Sequence, residues 1–225
     1  MISEKEFDII RTGLQHDNKR EKWIFLEELK KEPVTVALII INILVFLTVD
    51  LGGDSLNTAN MLQHGAAYTP FILEGGQYYR LFTSIFLHFG IQHLANNMLV
   101  LFVLGQRMER VFGGWKFLIL YLVGGIGGNL VSLYMDTATQ EYAVSAGASG
   151  AVFAVMGAMI YVVLRRKGRV EDLTVKQIVF MAVVAVLLGL TDSGVDNAAH
   201  IGGMVCGFLV SILLYHPRKI RKVEP

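Results

Sequence analysis

The stretch AVSAGASGAVFAVMGA, residues 143–158, is almost entirely small or apolar, with one serine, Ser149, between Gly147 and Gly150. The apolar run continues to Leu164. Residues 149–164 therefore form a block close to the short end of a bilayer span, which takes about 17–25 mostly apolar residues. Small residues in such a block let helix backbones approach closely, so a spacer is the first reading of Ser149. A nucleophile is the second. The choice depends on what other blocks place beside it.

Five further apolar blocks are present, at about 34–49, 85–104, 117–134, 175–190 and 198–214. The chain of 225 residues is 53% hydrophobic and only 17% charged, against roughly 25% charged in soluble domains. Pro33 opens the first block at a favourable first helical position. The reading is an all-α polytopic membrane protein with six spans. Residues 1–32 form an amphipathic cytoplasmic cap, 33–215 the six-helix domain and 216–225 a basic cytoplasmic tail. Residues 51–79 make a loop long enough to be structured. Gly124, Gly125, Gly127 and Gly128 read as a close-packing face of the third helix. The single cysteine, Cys206, reads as a buried structural thiol.

Charge orients the bundle, because Lys and Arg collect on the cytoplasmic side. With six spans, 19 of the 20 Lys and Arg residues fall on one side and only Arg80 on the other. The opposite loops carry Asp54, Glu74, Asp136, Glu141, Asp192 and Asp196. Both termini are thus expected in the cytoplasm. A net charge of +1 gives no pull toward nucleic acid.

Polar groups inside a membrane are costly and mark function. His88, His93, Asn96 and Asn97 fall in the second block, Ser149 begins the fourth and His200 lies near the start of the sixth. The topology puts Ser149, His200 and the His93/Asn97 pair in the outer half of the bilayer. Ala146, Gly150, Ala154 and Ala158 form a small-residue ridge at every fourth position, and His200, Gly203, Gly207 and Ser211 share one face of the sixth helix. If these faces meet, Ser149 and His200 come together, and a hydrogen bond of about 2.6–3.2 Å would mark an activated nucleophile. His93 and Asn97, four apart on one face, can donate to an oxyanion. Phe153, one turn after Ser149, is placed to pack on the His200 imidazole. Each item alone has a plainer reading: helix packing, a satisfied core histidine, an interhelical hydrogen bond. Glu109 reads as a structural partner of Arg107, Arg110 or the surroundings of Arg80.

The stretches YYRLFTSIFLHFGIQHLANN, GQRMERVFG, AGASG and AHIGGMVCG, in this order, resemble the rhomboid intramembrane serine proteases over about residues 65–215. The resemblance implies Ser149 as nucleophile, His200 as general base, and His93, Asn97 and Gly147 lining the oxyanion and substrate side. It implies supporting roles for His88, Arg80, Gly203 and Gly207. It makes Glu109, with Gly105 and Gly113, a structural anchor of the long first loop, and the fifth helix a lateral gate. The expected activity is acyl transfer on transmembrane-helix substrates within the lipid bilayer, with no cofactor or metal, in a protein of bacterial plasma-membrane type. Asp196 reads as a helix cap, not a third catalytic residue. A zinc enzyme is disfavoured, since H-E-x-x-H is absent, and an aspartyl pair is disfavoured because all eight aspartates lie outside the span interiors. The competing reading is a non-catalytic rhomboid-like factor that binds membrane proteins.

Overall fold

A computed structural model describes residues 31–166, 169–170, 173–189 and 194–216. Nearly all of the expected cap at 1–32 and tail at 216–225 lies outside the described residues. The first helix, α1 (Pro33–Gly53), starts at its proline and buries Thr35, Leu38, Asn42, Phe46 and Val49, a stripe with helical spacing. Ile40, Leu44 and Leu47 on its other faces are exposed, as lipid-facing side chains are. The free N–H groups at its start are met by Glu109. Val34 N–H donates to Oε1 at 2.9 Å, while Thr35 N–H and Thr35 Oγ1 each donate to Oε2 at 2.7 Å. Among the described residues Glu109 thus meets the start of α1, and it bonds neither the long loop nor Arg80, Arg107 or Arg110. It holds the beginning of α1, a full helix length from where that loop starts.

The loop is structured, with two short helices, α2 (Thr58–Gln63) and α3 (Thr69–Leu73). Arg80 pins it. Its Nη1 donates to the carbonyls of Leu62 and Ala66 at 2.8 Å each, its Nε donates to Gln77 Oε1 at 2.7 Å, and the guanidinium lies 5.1 Å from the Phe71 ring. Arg80 is thus buried among backbone carbonyls.

The second block is not one continuous helix from 85. A short helix, α4 (Arg80–Thr83), runs into a 3-10 turn, Ser84–Phe86, and the chain then bends by 89° before α5 (Gly90–Val100). Gly90 takes φ +77° at the bend, a conformation open to glycine. His88 thus lies in the break and not on the helix of His93. The span continues through a π-helical stretch, Leu101–Gly105, into α6 (Gln106–Phe112).

Helix α7 (Gly114–Thr139) brings its glycines to the bundle centre. A Cβ at Gly124 would collide with Ala154, and one at Gly128 would come 2.7 Å from the Ala199 carbonyl. Helix α8 (Ser149–Arg165) has no polar stripe, and it is buried from Gly150 to Met159, as an all-round apolar helix must be. A two-stranded hairpin, β1 (Arg169–Val170) with β2 (Leu173–Thr174), leads to α9 (Val175–Gly189); this hairpin was not expected. Helix α10 (Asn197–Leu214) packs against α8 backbone to backbone. A Cβ at Gly203 would strike the Gly150 carbonyl, one at Gly207 the Ala154 carbonyl, and one at Gly157 the Met204 carbonyl. Ala146 precedes α8, so the ridge begins at Gly150. Cys206 is half-buried, not buried, with its Sγ 3.6 Å from the Val123 carbonyl.

Among the described residues α1, α7 and α10 are each long and apolar enough to cross a membrane, and the bent pair Arg80–Phe86 and Gly90–Phe112 passes the same test when taken together. Helices α8 and α9 are shorter apolar helices. The six segments match the six sequence blocks in order, and the protein is an all-α integral membrane bundle.

Candidate active site

Ser149 is the first residue of α8. The chain before it is stitched to the segment that contains Ala67 and Ser84. Ala67 and Ser145 exchange backbone hydrogen bonds of 2.9 Å, and Gly147 N–H donates to the Ser84 carbonyl at 3.0 Å. Ala148 N–H donates to His88 Nε2 at 3.3 Å. His88, fully buried in the break before α5, therefore holds the residue next to the serine. Gly147 has φ +155°, and a Cβ on it would lie 2.8 Å from His93 Cε1 and 3.4 Å from Ser149 Oγ. The absent side chain is what lets the His93 ring come beside the serine.

His200 comes from the first turn of α10, brought in by the contacts of Gly203 and Gly207 with α8. Its ring stacks on Phe153, with centroids 4.3 Å apart and planes 9° from parallel. Asp196 caps α10, accepting from Ala199 N–H at 2.8 Å. Its other oxygen accepts from Ser132 Oγ at 2.6 Å and Ser145 Oγ at 2.7 Å. It thereby ties α7, the loop before the serine and the helix of the histidine. His200 Nδ1 has no hydrogen-bond partner among the described residues.

A cavity of about 340 Å³ joins these groups, lined by His93, Asn97, Ser149, Phe153 and His200. Met181 and Ala185 of α9 close one side. Asn97 Nδ2 donates to the His93 carbonyl at 3.0 Å, which leaves its amide one further N–H. The expected Ser149–His200 hydrogen bond is not formed among the described residues. Both side chains line the same cavity. Arg80 and Glu109 lie outside this cavity.

Sequence reading missed Ser132, Ser145 and Asn129. Asn129 Nδ2 donates to the Leu81 carbonyl at 2.8 Å and to Ser84 Oγ at 2.9 Å, holding the turn whose carbonyl receives Gly147. An asparagine within the third apolar block was a signal of the same kind as His93.

An all-α membrane bundle that encloses serine, histidine and asparagine in one cavity defines a narrow class. The chain belongs to the rhomboid family: the family model described as "Rhomboid domain" matches residues 75–217. It is 33% identical over 205 residues to "Rhomboid protease GluP" of Bacillus subtilis, covering 91% of this chain and 39% of that protein. It is 32% identical over 212 residues to "Rhomboid protease AarA" of Providencia stuartii, covering 84% and 75% respectively. "RHOMBOID-like protein 4" of Arabidopsis thaliana is 38% identical over 165 residues, 73% of this chain and 40% of that protein. The chain thus spans about two-fifths of the length of GluP and of the Arabidopsis relative.

Proposed function

We propose that the protein is an intramembrane serine endopeptidase that hydrolyses peptide bonds in or near transmembrane helices of other membrane proteins. The observation that carries this is the convergence of Ser149 and His200 on one cavity, with His93 and Asn97 on its wall. In this reading His200 Nε2 takes the proton of Ser149 Oγ as the oxygen attacks a substrate carbonyl. The resulting oxyanion receives the Ser149 N–H, the His93 ring and the free N–H of Asn97. His200 returns the proton to the leaving amine, and water repeats the cycle on the acyl-enzyme. Location at the start of α8 favours the developing negative charge, because helix N–H groups there have no intrahelical partner. With no acid on His200 Nδ1 among the described residues, turnover is slow, by analogy with the loss of about 10⁴ when a triad lacks its acid.

The six-helix domain spans 33–215, with 1–32 as a cytoplasmic cap and 216–225 as a basic cytoplasmic tail, in a plasma membrane of bacterial type. Purified protein is expected to cleave a transmembrane substrate reconstituted in the same bilayer, and Ser149→Ala and His200→Ala each to abolish cleavage. Cleavage surviving either substitution would overturn the assignment. The lack of a Ser149–His200 hydrogen bond among the described residues is what favours the second reading, a rhomboid-like binder without activity. A fluorophosphonate probe separates the two: an enzyme is labelled at Ser149, and a binder is not.

A further inference from the structure

At the opposite end of the bundle from Ser149 lies a second cavity, of about 200 Å³, between the end of α6, the start of α7 and the ends of α8 and α10. Its walls include Arg110, Phe112, Lys116, Arg166 and Tyr215. The cations are held in place. Arg166 Nε donates to Tyr215 Oη at 2.9 Å, and Lys116 Nζ donates to the Leu214 carbonyl at 3.1 Å. Tyr215 is itself fixed, buried and edge-on to Phe112 at 6.0 Å. Arg110 donates to the buried Glu32 carboxylate at 2.9 Å, so that pair is neutral. Lys116 and Arg166 face no carboxylate in any ion pair among the described residues. A guanidinium bound through Nε keeps both terminal NH₂ groups for a ligand, and an ammonium with one bond keeps two N–H groups. The site therefore presents two oriented cations around a hollow walled by aromatic rings.

Its surroundings fix the level at which it sits. Trp115, beside Lys116, is 73% exposed, and Leu213, beside Leu214, is 76% exposed. Tryptophan concentrates at the boundary between hydrocarbon and headgroups. The cavity thus opens where apolar spans give way to the Lys/Arg-rich segments. Basic pockets between spans at that level suit phosphate-bearing headgroups.

We propose that Lys116 and Arg166, with Tyr215 orienting the arginine, form a binding site for a phosphate ester or phosphate anion at the basic end of the bundle. The arrangement does not depend on the proteolytic reading. The test uses the full chain in neutral detergent, with native mass spectrometry after titration with phosphatidylglycerol, phosphatidylcholine or inorganic phosphate. Phosphatidylglycerol should be retained as a one-to-one adduct, and phosphatidylcholine should not. With a surface cation worth about 1 kcal/mol toward an anionic lipid, Lys116→Gln with Arg166→Gln should weaken retention by about tenfold or more. Arg166→Lys keeps the charge and should restore part of it, provided each variant remains monodisperse with an unchanged melting temperature. Competition by inorganic phosphate at equal concentration identifies a soluble anion as the ligand; failure to compete identifies the lipid. Equal retention of both lipids with no effect of phosphate, or equal retention by wild type and the double variant, would overturn the proposal.

Discussion

Gly147 shows how much of the site rests on one missing methyl group. Its φ of +155° and the nearness of His93 and Ser149 Oγ leave no place for a Cβ. Gly147→Ala is expected to displace His93 and to reduce the fluorophosphonate labelling rate by about 10²-fold, since displacement by 1 Å costs that much. The backbone strain adds about 1–3 kcal/mol, read as a lower melting temperature. Normal labelling in a folded variant would mean that His93 does not act on the serine. Phe153→Ala removes the ring stacked on His200. It should slow labelling while leaving the serine loop intact, and Phe153→Tyr should preserve it. A variant labelled at the normal rate would show that the stack does not position the imidazole.

At the scale of elements, the contact of α8 with α10 is decided by Gly150, Gly157, Gly203 and Gly207. Gly203→Val has no space to enter, and overpacking of this kind typically costs about 1–3 kcal/mol. The expected result is a lower melting temperature together with loss of labelling, because the same contact delivers His200. A stable and active Gly203→Val protein would mean that the helices tolerate wider spacing. The glycine spacing made this pairing legible in the sequence, and the stack of Phe153 on His200 followed from it. The break before α5 was not legible. Residues 85–104 are apolar on either side of His88, and hydropathy does not register a bend set by one glycine at φ +77°. His88 was consequently placed on the wrong element, and its bond from Ala148 N–H is made from the break. Glu109 was expected to anchor the first loop or to meet arginines, and its contact with the start of α1 was beyond reach. A carboxylate meeting backbone N–H groups 74 and 75 residues away leaves no pattern in the chain. Glu109→Gln should lower stability by about 1.5–3 kcal/mol, the worth of hydrogen bonds to a charged group. Activity per folded molecule should persist, as measured by labelling below the melting temperature.

Across the whole molecule, charge asymmetry and structural anchoring prove to be separate uses of the same residue types. With six spans the sequence assigns nineteen cations to one side, and the twentieth, Arg80, is enclosed by carbonyls of the long loop. Arg80 therefore says nothing against the orientation, since its charge is met by the protein and not exposed to the membrane surface. The opposite end carries Asp54, Glu74 and Glu141 on exposed loops. The orienting rule counts Lys and Arg near span ends, and here those counts all point one way. In a Cys206→Ser background, Glu141→Cys in intact cells should react with a membrane-impermeant maleimide. Arg107→Cys, at the other end of the bundle, should react only after the membrane is permeabilised. Arg80→Gln should leave this pattern unchanged while lowering the melting temperature, because it uncouples the loop without altering the nineteen. The reverse labelling pattern would place the candidate site on the cytoplasmic face. Inversion caused by Arg80→Gln alone would mean that this buried arginine takes part in setting topology.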